Sequence, residues 1–182
     1  MHGKFRCGGA LEASGRPGYK RRMPDRDIVY EAVDAGFAAP AIALATARIF
    51  GCGGSVGDVL DLGSGAGVTL VAAAEDATGR LVGVDLSEAA CDRARARLAP
   101  FGDRVRIAAA DILTLDPGAL GEFDLIYCIG TLFGVPAPVR ARILEIIGHC
   151  LRPGGVAVVS YYAGPLHAVR AQYHRMVRSA CR

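Results

Sequence analysis

The sequence lacks the features that mark membrane, secreted or zinc-binding proteins. No apolar run approaches the roughly 20 residues that span a bilayer, and the N-terminus has no apolar stretch of signal-peptide length. The six cysteines are scattered without a C-x-x-C pair, whereas zinc sites need closely spaced ligands. We therefore expect a cytoplasmic protein with reduced thiols, no metal site and no membrane partner.

The composition is that of one globular domain. Of the 182 residues, 52% are hydrophobic and 21% are charged, enough to build a sizeable core. Residues 1–26 carry a net charge of +5 and residues 162–182 a net charge of +4, so the middle carries −6. The basic arm Tyr19-Lys20-Arg21-Arg22 could hold an RNA backbone. No aromatic stacking platform accompanies it, and this favours a solvated tail and disfavours nucleic acid as a partner.

The most informative stretch is an apolar run that ends at glycines in alternate positions. Val59-Leu60-Asp61-Leu62 is followed by Gly63-Ser64-Gly65-Ala66-Gly67. Glycine allows positive φ and close approach of a ligand, so the pattern predicts a buried strand that stops at a ligand and turns into a helix. The carboxylate of Asp61 suits a ligand with hydroxyls or positive charge. A tight turn without a ligand remains the alternative for these glycines taken alone.

Two common nucleotide-binding loops do not match this stretch. The dinucleotide fingerprint G-x-G-x-x-G would place its third glycine at Val68, and Gly67 comes one residue early. A phosphate-binding P-loop needs Gly-Lys-Ser/Thr, and the loop contains no lysine. The residues therefore favour a ligand other than a pyrophosphate.

Four further apolar runs follow in order. The first two end in acids, Leu81 to Asp85 and Val105 to Asp111, and the next two are Phe123 to Cys128 and Val156 to Ser160. An acid about 20 residues beyond the glycine loop can accept both hydroxyls of a ribose. Each acid also has a structural alternative. Asp85 could cap a helix, a role that suits Ser87 at least as well, and Asp111 could cap or close a turn before Pro117.

D-x-G-x-G-x-G and the ordered runs resemble the class I S-adenosylmethionine-dependent methyltransferases over about residues 26–165. The resemblance implies an α/β fold, a doubly wound and mostly parallel sheet (the Rossmann-like methyltransferase fold), with S-adenosylmethionine as cofactor. It places the 63–67 loop on the methionine end, Asp85 on the ribose, and Asp111 and Ile112 on the adenine. It also implies that residues 151–155 form a turn into a fifth strand. The implied cofactor-binding residues are Asp61, Gly63, Ser64, Gly65, Gly67, Asp85, Leu86, Asp111, Ile112, Cys128 and Tyr30.

The chain is expected to divide into a flexible basic leader, residues 1–25, and a cofactor-binding domain, residues 26–182. Within the domain we expect a helical cap over residues 26–50, a β/α core over 56–160 and a last helix over 165–180. The clearest core helices are Glu88 to Leu98 and Val139 to Cys150. Alternating short strands and helices predict a parallel sheet covered on both faces.

The family usually adds two antiparallel strands after the fifth, and here a helix follows instead. We expect a fold without these last two strands, which leaves the strand over residues 156–161 as an apolar edge. A homodimer, a missing C-terminal segment or the last helix would cover that edge.

The resemblance implies methyl transfer to a small-molecule acceptor, with specialised metabolism as one setting. His167 and Tyr161 are the candidate catalytic residues, because both follow the fifth strand closely; a solvated helix face is the alternative for His167. Cys128-Ile129-Gly130-Thr131 stands where amino-methylating enzymes of nucleobases or glutamine carry Asn/Asp-Pro-Pro-Tyr/Phe. The other readings are a cofactor-binding member that transfers no methyl (a regulatory or partner subunit, or a cyclase) and an RNA methyltransferase.

Overall fold

A computed structural model describes residues 56–161 of the chain. The five strands are β1 Val59–Leu62, β2 Leu81–Asp85, β3 Val105–Ala109, β4 Phe123–Cys128 and β5 Leu151–Val159. The helices are α1 Val68–Ala74, α2 Glu88–Leu98, α3 Pro117–Leu120 and α4 Ala137–Cys150, and a 3-10 segment, Ala99–Arg104, follows α2. The predicted leader, cap and last helix lie outside the described residues.

The strands form one sheet in the order β3-β2-β1-β4-β5, and every strand pair is parallel. The chain moves outward from β1 to β3 and then returns to the other side of β1 with β4. In open α/β sheets such a reversal forms a crevice at the carboxyl ends of the two strands where the order reverses, here β1 and β4, and ligands bind there. The predicted doubly wound parallel sheet is confirmed. Among residues 56–161, no helix is long and apolar enough to cross a membrane.

Each face of the sheet is covered by its own apolar cluster, because successive side chains of a strand point to opposite faces. On one face Leu60, Val82 and Ile126 pack with Ile143 and Ile146 of α4. The opposite face carries a cluster from β1, β2, β4, α1 and α2: Val59, Leu81, Leu125, Tyr127, Leu70, Ala73, Ala94 and Leu98. Strands buried on both faces explain why the runs read as continuous apolar stretches rather than alternating ones.

The two helices predicted most clearly are both present. Helix α2 has the predicted bounds, and Ser87 caps it, since its Oγ accepts a hydrogen bond from Ala90 N at 3.3 Å. Helix α4 begins two residues earlier than predicted, at Ala137, and carries Pro138 in its first turn, where proline is tolerated. Cys128 and Cys150 are buried free thiols, as expected for cysteines that pack as small hydrophobes.

Strand β5 differs from the prediction at its start. The sequence predicts a turn over residues 151–155 and a strand from Val156, whereas β5 begins at Leu151. Leu151 pairs with Phe123, and the register then shifts so that Val156 pairs with Leu125. The intervening residues form a bulge that contains Gly154 at φ +81°, so the predicted turn is absorbed into the strand as an irregularity. Val159 and Tyr161 are exposed at its end.

An ion-pair network joins the amino ends of the strands, opposite the crevice. Arg152 donates to Asp58 Oδ2 at 2.8 Å and to Asp124 Oδ2 at 2.6 Å. Arg80 contributes its backbone N–H to Asp58 Oδ1 and its guanidinium to Oδ2. Burial alone would raise the pKa of Asp58, but the hydrogen bonds from Arg80 and Arg152 outweigh it and lower the pKa. The network ties the residues preceding β1 and β2 to β4 and β5.

Replacing Arg152 with methionine is expected to lower the free energy of unfolding by about 1 kcal/mol at pH 7 and low salt. Because the folded-state pKa of Asp58 lies below its ordinary value of 3.8, its contribution is present above that pH and lost as the pH falls through the folded-state pKa. Urea denaturation at pH 7 and pH 2.5 should show the difference shrinking in acid. Arg106→Met, which removes a surface arginine from β3, is the matched control and should leave stability nearly unchanged.

Candidate cofactor site

Two buried carboxylates lie side by side at the carboxyl ends of β1 and β2. Asp61 is 2% exposed and Asp85 is 5% exposed. Asp61 pairs with Gly83 in the parallel register, so Asp85 is its diagonal neighbour on the same face. A substituent on Gly83 would lie 2.9 Å from Ser64 Oγ. Glycine at this position therefore leaves room for the turn after β1 to pack against β2.

The turn after β1 needs its glycines for two reasons. Gly63, Gly65 and Gly67 have φ values of +80°, +51° and +78°, a region that other residues rarely adopt. A Cβ on Gly63 would also lie 2.1 Å from Thr131 Oγ1. The alternate spacing of these glycines thus reflects left-handed backbone at each position, and neighbouring strand ends press closely on the turn.

The side chain of Asp85 points at the glycine turn. Its Oδ2 accepts a hydrogen bond from Gly65 N at 2.9 Å, and its Oδ1 accepts one from Ser87 N at 2.9 Å. The helix-cap alternative for Asp85 is therefore wrong, since Ser87 caps α2. The two backbone donors fix the carboxylate in one orientation, and each oxygen keeps a lone pair for a further donor. Such an arrangement suits a ligand with two adjacent hydroxyls.

Asp61 is the most strongly perturbed carboxyl group at this edge. Burial, reinforced by the negative charge of Asp85, raises the pKa of Asp61 from 3.8 to about 8. A buried carboxyl group of this kind gains most from a ligand that brings positive charge close to it. The site therefore favours a cationic ligand and disfavours a phosphate.

The residues predicted to hold adenine, Asp111 and Ile112, follow β3, and the predicted cofactor-binding residue Leu86 follows β2. Asp111 follows β3 by two residues, and its Oδ1 accepts a hydrogen bond from Leu113 N at 2.9 Å. The predicted turn-closing alternative for Asp111 is thus realised, and it occupies one of the two carboxylate oxygens. Ile112 is partly buried against the core, and Leu86 is exposed at the tip of β2.

The tip of β4 is held against β5 and the glycine turn. Gly130 N donates to Ser160 Oγ at 2.7 Å, and Ser160 N donates to Cys128 O at 3.1 Å. The Cys128 thiol is fully buried, and burial, together with the charge of Asp61, raises its pKa to about 12. Cys128 is therefore a neutral thiol here, and its side chain lines the core beneath the crevice.

The remaining predicted residues are placed less fully. Tyr161, 61% exposed, directly follows Ser160 and so lies beside the tip of β4. Tyr30 and His167 lie outside the described residues. Within residues 56–161, no cluster of His, Cys, Asp and Glu side chains could hold a metal ion. Sequence reasoning did not find Thr131 and Ser160 as site residues, because single hydroxyl residues in a loop carry no pattern.

The described residues fit S-adenosylmethionine on four observations. The buried acid pair matches a ligand that carries a sulfonium and an ammonium group, and the fixed Asp85 carboxylate matches a ribose diol. Ser64 Oγ is buried and has no hydrogen-bond partner in the described part of the chain, so it is left for a ligand or water. The glycine turn presents bare backbone where the amino-acid end would lie.

The fold and these strand tips define the class: a nucleoside-binding, doubly wound α/β protein of the S-adenosylmethionine-dependent methyltransferase type. The chain belongs to the methyltransferase domain family, whose model matches residues 59–155. The predicted family resemblance is confirmed, and S-adenosylmethionine is the cofactor of that family.

Several relatives share this part of the chain. A ribosomal protein L11 methyltransferase of Syntrophotalea carbinolica is 36% identical over 104 residues, which are 56% of this chain and 31% of that protein. A ubiquinone biosynthesis O-methyltransferase of Aromatoleum aromaticum is 35% identical over 97 residues, 53% of this chain and 40% of that protein. Both relatives extend well beyond the matched region, since the chain spans less than half of their length.

Among solved structures, the chain resembles CalS10 with S-adenosylmethionine bound. CalS10 is an amino pentose methyltransferase of Micromonospora echinaspora involved in calicheamicin biosynthesis. The two are 31% identical with a TM-score of 0.60, and the match covers 76% of this chain and 58% of CalS10. The likeness is in the fold, a five-stranded parallel sheet with helices.

Proposed function

We propose that the chain transfers a methyl group from S-adenosylmethionine to a small-molecule acceptor. The observation that carries the proposal is the Asp85 carboxylate, held by Gly65 N and Ser87 N at the glycine turn. When bound, S-adenosylmethionine supplies a methyl group on a cationic sulfur that is already activated for displacement. The protein's task is then to position the reactants and exclude water.

Each strand tip has its own part in that task. Asp85 accepts the two ribose hydroxyls, Asp111 and Ile112 contact the adenine, and the 63–67 turn receives the methionine end. Asp61 lies in β1, two residues before Gly63, and a cationic ligand favours its ionised form. Tyr30, from the predicted cap, closes over the cofactor.

The tip of β4 supports a small-molecule acceptor. Cys128, Ile129, Gly130 and Thr131 carry no acid, base or planar-amine clamp. These four residues suit an acceptor that is already nucleophilic, because they offer no group for removing a proton from it. Two of the relatives, by their names, act on an amino pentose and in ubiquinone biosynthesis; both are consistent with a small acceptor, and CalS10 with specialised metabolism.

Tyr161 and His167 are proposed to contact the acceptor. Tyr161 follows Ser160, which is bonded to the tip of β4, and this position supports a role for its phenol in orienting an acceptor. His167 follows six residues later and is proposed as a base for an acceptor that must lose a proton.

A protein acceptor is the second candidate. The relative named for ribosomal protein L11 favours it, at 36% identity over 104 residues. The matched region is only 31% of that relative, so most of the relative lies outside it. The similarity therefore supports a shared cofactor-binding core more directly than a shared acceptor.

Calorimetry of the full chain with S-adenosylmethionine and S-adenosylhomocysteine tests the cofactor step. Binding of at least one ligand is expected, and binding of neither would defeat the proposal. Formation of S-adenosylhomocysteine is then followed with aminosugars, phenols, ribosomal proteins and RNA as acceptors. Turnover with an aminosugar or phenol supports the small-molecule acceptor, and turnover confined to proteins or RNA refutes it. Tight binding without turnover on any of them would favour a member that transfers no methyl.

A further inference from the structure

An arginine outside the strand tips reaches the glycine turn. Arg97 lies in the last turn of α2, and its Nη1 donates a hydrogen bond to Ala66 O at 2.9 Å. The contact joins residues 31 positions apart. The guanidinium belongs to an exposed side chain, whereas the carbonyl belongs to a buried residue of the turn.

The conformation of the turn depends on contacts from other elements, because its own residues do little to stabilise it. Three of its five residues are glycines, which lose more conformational entropy on ordering than any other residue. Gly63 is pressed by Thr131, and Gly65 is bonded to Asp85. Helix α2 supports the remaining part, since a Cβ on Gly67 would lie 3.0 Å from Ala94 Cβ.

The peptide between Ala66 and Gly67 is held from both sides. Its N–H, on Gly67, donates to Ser64 O at 2.9 Å. Its carbonyl oxygen, on Ala66, accepts from Arg97. Without the arginine, one of these two constraints is lost. The peptide can then rotate away from the conformation that it has at the start of α1.

We propose that Arg97 is a positioning residue for the cofactor: from α2 it fixes the Ala66–Gly67 peptide and so preorganises the turn that receives the methionine end. The inference rests on the proposed role of this turn in binding S-adenosylmethionine. Preorganisation raises affinity because the ordering cost is met before the ligand arrives. Arg97 itself does not touch the ligand.

Arg97→Met keeps the apolar stem and removes the hydrogen bond. It is expected to weaken binding of S-adenosylhomocysteine by about three- to tenfold, the range for one hydrogen bond at an accessible site. Arg97→Lys, which keeps a donor and the charge, should recover part of the loss. Calorimetry on the full chain measures all three proteins under the same buffer conditions.

Arg95→Met is the matched control from the same helix. Arg95 forms ion pairs with Glu88 at 2.8 Å and Asp92 at 2.6 Å and donates to Ile107 O at 3.3 Å, and none of these partners belongs to the turn. If loss of charge or of helix stability were the cause, Arg95→Met would weaken binding as much as Arg97→Met does. We expect its affinity to stay within twofold of the wild type.

Hydrogen exchange of the ligand-free protein gives a readout that does not depend on the cofactor. Exchange at the Gly67 amide should be faster in Arg97→Met and unchanged in Arg95→Met. Equal exchange and equal affinity in wild type and Arg97→Met would overturn the role of Arg97. Absence of binding in the wild type would instead defeat the proposed function, and the exchange measurement would still decide whether Arg97 orders the turn.

Discussion

Replacing Asp85 with asparagine is expected to weaken binding of S-adenosylhomocysteine by about 100-fold or more. A ribose diol would donate two charge-assisted hydrogen bonds to this carboxylate, each contributing about 1.5 kcal/mol or more. The asparagine also creates a local conflict. Both carboxylate oxygens accept backbone N–H groups, from Gly65 and Ser87, so an amide NH₂ must face one of these donors. The substitution therefore disturbs the glycine turn as well as the ribose contact.

Calorimetric titration of the full chain with S-adenosylhomocysteine measures the effect. Asp92→Asn on α2 makes the same chemical change at an exposed position, where the carboxylate contacts Arg95 rather than the turn. That control should bind within twofold of the wild type. Retention of wild-type affinity, within threefold, by Asp85→Asn would show that this carboxylate does not hold the ribose.

The parts of the fold that follow from buried apolar periodicity could be predicted from the sequence. Runs that are apolar throughout indicate strands covered on both faces, and five of them separated by helical stretches indicate a parallel sheet. Ser87 before Glu88 also marks the start of α2 correctly, because a capping hydroxyl is a local signal.

The part of the site that consists of acidic residues at strand ends could be predicted from the sequence. Parallel strands present their carboxyl ends at one edge, so Asp61 and Asp85 had to approach each other once β1 and β2 paired. The bulge in β5 was not predictable, since Pro153-Gly154-Gly155 reads as a turn wherever it occurs. Its continuation as strand depends on the register with β4.

Contacts made by single charged side chains over long sequence separations could not be predicted. Arg97 resembles Arg93 and Arg95 in the sequence, and its bond to Ala66 exists because α2 packs across the glycine turn. The network of Asp58, Arg80 and Arg152 is set by the meeting of the amino ends of the strands. Neither arrangement has a local pattern, because the partners come together through tertiary packing alone.

Asp61 is expected to destabilise the protein at alkaline pH, and replacing it with asparagine should reverse this. Its pKa is about 8 in the folded state and 3.8 in the unfolded state. Between these values the folded state holds one more proton on Asp61, so the contribution of this residue to stability is most favourable below pH 4 and becomes less favourable as the pH rises toward 8. Asp61→Asn should therefore raise the free energy of unfolding by on the order of 3 kcal/mol at pH 8. Urea denaturation should show this gain vanishing below about pH 3, where the carboxyl group is neutral in both states.

The same group should make cofactor binding depend on pH in the opposite direction. A cationic ligand favours the ionised carboxylate and lowers the pKa of Asp61, so affinity for S-adenosylmethionine should rise between pH 5.5 and 7.5, by up to tenfold per pH unit. The ligand's own ammonium, with a pKa of about 7.8, stays largely protonated in this range. Calorimetry in buffers of different ionisation enthalpy should detect about one proton released, and Asp61→Asn should bind more weakly without this pH dependence. Flat wild-type affinity, combined with no gain in stability for the variant at pH 8, would show that Asp61 is already ionised in the free protein.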